Sequence, residues 1–476
     1  MEEYAITYEN LVLSTYSIEH ILDLHLYEQI NDHGMLHLIA IIPEEHAEEY
    51  VYTTEPMQSV TLGYRKEDQT TETLYRGLVT DIQINCSGNV YYMDLTVKGK
   101  TYAMDIIKRY RSFQNTAMTT HELIREVLSG YQDSDCILQI PNEPIGRLIV
   151  QYHETDWEFL VRVVSHYGAV LVPDLVSERL AFYVGIPEQG DEFTITPYHY
   201  HVSKSMDEYL AIRENQWADV KEMDFMVFQA LDVQIFRVGN FINLYGKRLV
   251  IQAVQRELTD GILKNTYTMK RKEGLKGLEI HNYELVGASV IGQVIEISRD
   301  KVKVQLEMDE QGRAAYWFPY STMSASPDGS GWYCMPEKGD RVRVYFPTNQ
   351  ESDAYAVSAV SGHQPQPGDA EDPMGNPAVK YLKTKADQVI QFAEEGIIIN
   401  SGSGQATVFL GNSGDLSVYG TTNVNVTAKN TLSLVSKGQL LIGAKDTVSI
   451  KRGEGTSITL DQDGNINLKG KKIYSN

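Results

Sequence analysis

His153 in "HETDW" and His121 in "HELIR" each precede a Glu, as in a zinc-protease helix, but neither is followed by the second His that two-His coordination needs. His153 is therefore expected as a polar residue at a helix entrance. "PYHYHVS" puts His199 and His201 on one face of a strand, a spacing that a metal could use, yet no acidic or Cys ligand lies near them in sequence. Asp461 and Asp463 in "DQDGN" resemble the start of a calcium loop, but the Gly comes two places too early. A tight turn at Asp463-Gly464-Asn465 explains them better. "GSGQAT" lacks the Lys of a phosphate loop. Cys86, Cys136 and Cys334 stand far apart and odd in number, which argues against a disulfide framework or a zinc ribbon. No nucleophile is set beside a base. No catalytic, cofactor-binding or metal residue is assigned, and the chain is read as a non-enzyme.

The elements that would carry any site are mostly strands. A hydrophobic content of 42% with 30 Tyr and 36 Gly describes a folded chain rich in strand and turn. At 476 residues it is too long for one core. The formal charge of -22 excludes a nucleic-acid surface, which requires clustered Lys and Arg. Residues 381–476 hold ten basic and eight acidic residues, a net of +2, which leaves the first 380 residues at -24. No apolar run of membrane-spanning length occurs, so stable membrane insertion is not expected. The start, "MEEYAITYEN", has no signal-peptide pattern.

Residues 1–110 read as strands, with "MLHLIAIIP" and "NVYYMDLTVKG" apolar or alternating. A helix is predicted near 118–130, capped by Thr119 or Thr120 and stopped by Gly130, with Leu123, Val127 and Leu128 on one face. A second is predicted near 155–167, capped by Thr155, with Trp157, Leu160, Val161 and Val164 buried and Gly168 ending it. Strands return to about 275, a short strand-rich unit spans 285–362, and a Pro/Gly linker covers 363–379.

From there to the end one rhythm dominates. Apolar pairs with one residue between them recur every eight residues: Leu416/Val418, Val424/Val426, Leu432/Leu434, Leu440/Ile442, Val448/Ile450, then, after a slip of two at Gly453-Glu454-Gly455, Ile458/Leu460 and Ile466/Leu468. Such a pair puts both side chains on one strand face. A strand with one narrow apolar face cannot cover itself. An antiparallel meander has no reason to hold the period, nor to keep Lys429, Lys437 and Lys445 in phase. A single-chain β-solenoid is the nearer alternative. Three intertwined chains, each supplying one side of a triangular prism, give every pair a shared axis, so the fourteen are expected as the core of a trimer. Each would then contribute roughly 1.5–3 kcal/mol on full burial, a gain tied to assembly. At about 4.8 Å per stacked strand, the needle over residues 380–476 would be on the order of 50 Å long.

"LIVQYHETDWEFLVRVVSHYGAVL" (148–171), "YRSFQNTAMTTHELIREVL" before it, the stretch from "VIGQVIEISRDKVKVQLEMDE" through "WFP" to "PEKGDRVRVYFP", and "SITLDQDGNINLKGKKI" together resemble the spike proteins of contractile injection machines. That family comprises VgrG of type VI secretion and the hub–spike proteins of phage tails. The resemblance implies a mainly β chain. Residues 1–280 would form a hub with two barrel-like subdomains that adapts a hexameric tube to three-fold symmetry. Residues 285–362 would form an OB-fold collar, and 380–476 a triple-stranded β-helix spike. The function implied is a homotrimeric central spike that punctures the target envelope. Its partners would be further copies of itself, the inner tube protein, baseplate components, effector cargo and a PAAR-type tip protein docked around Ile473 and Tyr474. It would assemble in the cytoplasm and leave on firing. The interval between collar and needle is too short for the lysozyme of the phage member, and "TNQESDAYAVSAV" replaces the segment usual after the collar. A trimeric tail-fibre adhesin is the alternative, but the shaft lacks the globular head that an adhesin would carry; a spike-associated hydrolase is the more distant one.

Overall fold

The computed structural model describes residues 5–46, 48–188, 192–357, 362–363 and 373–474. The chain is mainly β and divides into two compact units, 1–362 and 363–476. Most of the 363–379 linker expected from sequence lies outside the described residues. Among the described residues no helix is long and apolar enough to cross a membrane.

A 12-stranded sheet dominates the first unit. One half runs Leu11–Leu13, Ser59–Arg65, Thr71–Ser87, Val90–Gly99, Met35–Ile42, His20–Gln29; the other continues Lys247–Thr259, Ile262–Lys270, Met226–Asp232, Tyr200–Lys204. Alternation drives it. In Met35–Ile42 the residues Leu36, Leu38, Ala40 and Ile42 are buried while those between them are not. Each half has its own apolar core, one around Leu24, Leu38 and Leu95, the other around Ile242, Val254 and Met269. The seam between them is the antiparallel pairing of His20–Gln29 with Lys247–Thr259. A fully buried ion pair spans it: Arg256 Nε donates to Glu28 Oε1 at 2.9 Å, and its remaining donors reach Asn265 Oδ1, Tyr267 Oη and the Phe236 carbonyl.

Four α-helices are present among the described residues: α1 Glu49–Thr53, α2 Thr120–Leu128, α3 Asp156–Ser165 and α4 Met206–Asn215. α2 and α3 start at the expected caps. Thr119 Oγ1 accepts from Glu122 N while Glu122 Oε2 accepts from Thr119 N, and Thr155 and Glu158 repeat the exchange. The buried face of α3 is wider than the sequence stripe: Phe159 and Val163 are buried with Trp157, Leu160 and Val164, whereas Val161 is only half-buried. The cause is that α3 is enclosed on several sides, so even Arg162 is buried.

Five short strands form the next sheet, in the order Trp317–Pro319, Lys301–Leu306, Ser289–Ser298, Arg341–Tyr345, Tyr355–Val357. A bridge between Tyr320 and Ala356 joins its two ends and closes it into a small barrel. The barrel core of Val294, Val304, Phe318 and Val344 also takes in Leu148 and Val150. Val150 lies on Ile149–Glu154, which forms a two-stranded ribbon with Arg109–Phe113. On that ribbon Ile149 and Phe113 join the core of α2 and α3 instead. The ribbon is thus a wall shared by two cores.

In the second unit, Lys380–Lys383, Val389–Ala393, Gly396–Asn400, Ala406–Gly411 and Leu416–Gly420 form a five-stranded antiparallel meander. Val448–Arg452, Thr456–Leu460 and Ile466–Lys469 form a three-stranded one. Here the structure differs from the expectation, because adjacent strands of one chain do pair as meanders at these two places. It differs again between them. Val424, Val426, Leu432, Leu434, Leu440 and Ile442 were expected on strands with their side chains in a core, but residues 421–447 form no strand. All six side chains are exposed, by 52% to 66%. The reason is that no segment of the same chain pairs alongside this stretch, so a single copy has nothing with which to cover it.

Candidate functional site

The residues singled out for chemistry are scattered. His199 and His201 are exposed, and no group of three or more His, Cys, Asp or Glu among the described residues is arranged to hold a metal. Asp461 closes a turn: its Oδ1 accepts from the backbone N–H of Asp463 and Asn465, with Gly464 at φ 83°. His153 is the extra residue where the ribbon register shifts; it has φ 53° and stacks on Tyr110. This left-handed residue turns Glu154 and the cap of α3 inward. The cysteines are free; Cys86 and Cys334 are exposed, and burial first, then Asp135, pushes the Cys136 thiol up to about 11.

One hydroxyl–imidazole–carboxylate array does form, from residues the sequence reading missed. His33 Nδ1 lies 2.9 Å from Thr101 Oγ1, and His33 Nε2 lies 3.2 Å from Asp105 Oδ2. Burial would raise the Asp105 carboxyl, but hydrogen bonds from His33 and Thr155 outweigh it and hold the pKa below its ordinary value. Thr101 is 2% exposed, so no substrate carbonyl reaches its oxygen. The array is a brace. It ties the turn after His20–Gln29 to the start of α3, where Trp157 Nε1 also donates to the Asn31 carbonyl.

A denser polar joint links α3 to the small barrel. Arg162 donates from Nε and Nη2 to the two oxygens of Glu154 at 2.6 and 2.8 Å, from Nη1 to Glu351 Oε1 at 2.9 Å, and from Nη2 to the Val150 carbonyl. Burial would lower the Arg162 pKa, but the two carboxylates outweigh it and raise it. Beside the joint, burial and the neighbouring Arg147 and Arg162 push His166 down to about 3, so it is neutral. On the other side of the ribbon, Asp309 accepts from Ser112 N, and the Gln114 amide reaches Val304 O, Ala315 N and Tyr316 N. Sequence gives no sign of this joint, because its partners lie up to 202 residues apart.

The residues with the clearest unmet need are the apolar pairs. Within one chain none of the fourteen is buried: Leu416, Val418, Val424, Val426, Leu432, Leu434, Leu440, Ile442, Ile450, Ile458, Leu460, Ile466 and Leu468 are exposed, by 42% to 68%, and Val448 is half-buried. Where strands exist, register stacks the pairs on one face: Val448 opposite Leu460 opposite Ile466, and Ile450 opposite Ile458 opposite Leu468. The five-stranded meander does the same and extends the face upstream. Leu416 and Val418 sit opposite Leu410 and Val408, these opposite Ile397 and Ile399, and these opposite Phe392 and Ile390. The upstream rows escaped the eight-residue reading because their spacing is irregular, although "VIQFA" and "GIIIN" alternate as strands do. Through 421–447 the backbone bends at Thr421-Thr422, Lys429-Asn430, Lys437-Gly438 and Lys445-Asp446, with six unbent residues between bends. Each six-residue side carries one pair: Val424/Val426, Leu432/Leu434 and Leu440/Ile442 in turn. Ile473 and Tyr474 are exposed beyond the last strand.

Residues 49–178 match the phage tail baseplate hub (GPD) family, and residues 290–360 match the type VI secretion system/phage-baseplate injector OB domain. These two stretches thus carry domains of the hub–spike proteins of phage baseplates and type VI secretion systems, the kind that includes VgrG. No curated protein sequence matches it. A solved E. coli component of the type VI secretion system, described as structurally similar to the T4 bacteriophage tail proteins gp27 and gp5, aligns over 73% of this chain and 98% of its own at 14% identity and a TM-score of 0.53. A chain of a half-lidded Francisella PdpA–VgrG complex aligns over 86% of this chain and 87% of its own at 9% identity and a TM-score of 0.53. At these identities the likeness is one of fold.

Proposed function

We propose that this chain is the homotrimeric central spike of a contractile injection apparatus. The observation that carries this reading is the backbone of 421–447, which bends every eight residues, forms no strand within the chain and holds its apolar pairs in water. Extended backbone with unpaired N–H and C=O groups needs partners. A six-residue side and a two-residue corner suit a triangular prism in which the partners are two further copies. Val426 and Ile442, exposed in one chain, would then turn to the axis with the other pair residues. The uncovered faces of the two meanders become the walls of one axial core over 380–476.

Residues 1–280 act in this reading as the adaptor between the hexameric inner tube and the three-fold needle, and the small barrel at 285–362 is the collar. Sheath contraction drives the tube, and the trimer concentrates that force on a small area of the target envelope. Baseplate components hold it before firing, and effector cargo travels with it. It assembles in the cytoplasm within the particle and is expelled on firing. Light scattering of the full-length protein is expected to give about three times the 53.8 kDa chain mass. A stable monomer would refute the reading.

A further inference from the structure

Between the ribbon and the small barrel lies a cleft of about 700 Å³, within the usual range of roughly 300–1,000 Å³ for small-ligand pockets. Arg109 and Arg111 enter it from the ribbon and Arg313 from the segment that follows Lys301–Leu306. Phe113 forms a base between two of them, with the Arg111 and Arg313 guanidinium carbons 5.6 and 5.7 Å from its ring centroid. Two of the three carboxylates that line the cleft are paired to arginines. Arg111 Nη2 donates to Asp156 Oδ1, and Arg313 Nη2 lies 2.5 Å from Glu126 Oε1. Asp156 also accepts from Tyr131 Oη at 2.7 Å and Gln151 Nε2 at 3.0 Å. Its oxygens are engaged before Arg109 arrives, and Arg109 Nε stops 3.5 Å from Oδ2. That buried N–H has no hydrogen-bond partner.

Buried donors are almost always paired, so an orphaned cationic one asks for an acceptor. Burial of Arg111, with Arg109 and Arg313 repelling it against the pull of Asp156, holds its pKa below the ordinary value. Glu310, which also lines the cleft, is exposed, and the Asp309 carboxylate is turned to Ser112.

We propose that this cleft binds a carboxylate carried by an acidic peptide segment of a partner protein, with Arg109 as the principal donor and Arg313 beside it. The guanidinium fork matches a carboxylate, and stacking on Phe113 pre-orders Arg111 and Arg313. Met118 and Val127 beside Asn115 and Gln114 give the cleft a mixed lining suited to a peptide rather than to a bare ion. Free phosphate shares the chemistry and is the other source to separate.

Isothermal titration of the full-length protein with a blocked tetra-glutamate peptide, and separately with inorganic phosphate, tests this. The peptide is expected to bind more tightly than phosphate, to weaken as salt rises, and to lose about tenfold or more in affinity in Arg109→Gln. The Arg109 side chain is 40% exposed, so that variant keeps its fold, and an unchanged melting temperature verifies it. Phosphate binding as tightly as the peptide would overturn the peptide assignment. No binding of either probe, or binding undiminished in Arg109→Gln, would overturn the site.

Discussion

Arg162 gathers partners from three places in the chain, and that fixes how its variants should behave. Glu154 holds it with two hydrogen bonds from the end of the ribbon, and Glu351 with one from the small barrel. Removing Glu351 leaves the cation paired, so Glu351→Ala is expected to lose one charged hydrogen bond, roughly 1.5–3 kcal/mol. Glu154→Ala strips the bidentate partner from a fully enclosed cation and should lose more, about 3–5 kcal/mol. Chemical denaturation of the two variants gives the comparison. Equal losses would mean that the bidentate pairing with Glu154 does not dominate the joint. The same arrangement fixes the small barrel to the ribbon, since the barrel also borrows Leu148 and Val150 for its core. Under the proposed function, a load on residues 1–280 would reach the barrel through a buried joint rather than a flexible tether.

At the scale of elements, local signals were legible and distant ones were not. Both helices show in sequence because Thr119/Glu122 and Thr155/Glu158 are capping boxes, a signal complete within four residues. The octads show because the period is constant, and the bends at Lys429, Lys437 and Lys445 fall where the lysines kept phase. What stayed hidden depends on register or on contact across the chain. The rows at Ile390/Phe392 and Ile397/Ile399 join the apolar face only through cross-strand pairing, and in the brace of Thr101, His33 and Asp105 the hydroxyl and imidazole lie 68 residues apart. The meanders show that local pairing wins where a short turn allows it, which the octad rule alone does not foresee. The axial reading of Leu434 gives a direct contrast. Three Asp side chains at a shared axis would be desolvated together without counter-charge, so Leu434→Asp should abolish the soluble trimer or sharply lower its melting temperature. Ser433→Asp, on the alternate face of the same extended segment, should be tolerated. Similar melting curves for the two variants would refute the inward assignment.

For the whole molecule, the proposed needle raises the question of what meets its last strand. Ile466–Lys469 is the last strand of its sheet, with one edge unpaired among the described residues, and its Ile466 and Leu468 are exposed. Beyond it Ile473 and Tyr474 are 60% and 83% exposed, on a segment that also carries Lys471 and Lys472. Open strand edges and apolar patches of this kind commonly mark a binding surface. Three copies around an axis would present three such edges as one triangular platform, a shape that suits a small conical PAAR-type tip protein. Deleting residues 470–476 removes the two exposed apolar side chains but none of the fourteen pair residues, so the trimer should keep its mass by light scattering. The same deletion should abolish co-purification with a PAAR-type protein co-expressed from the same locus. A truncated trimer that still captures that protein with unchanged affinity would place the docking face elsewhere. Loss of the trimer itself would show that Ile473 and Tyr474 belong to the axial core instead of the platform.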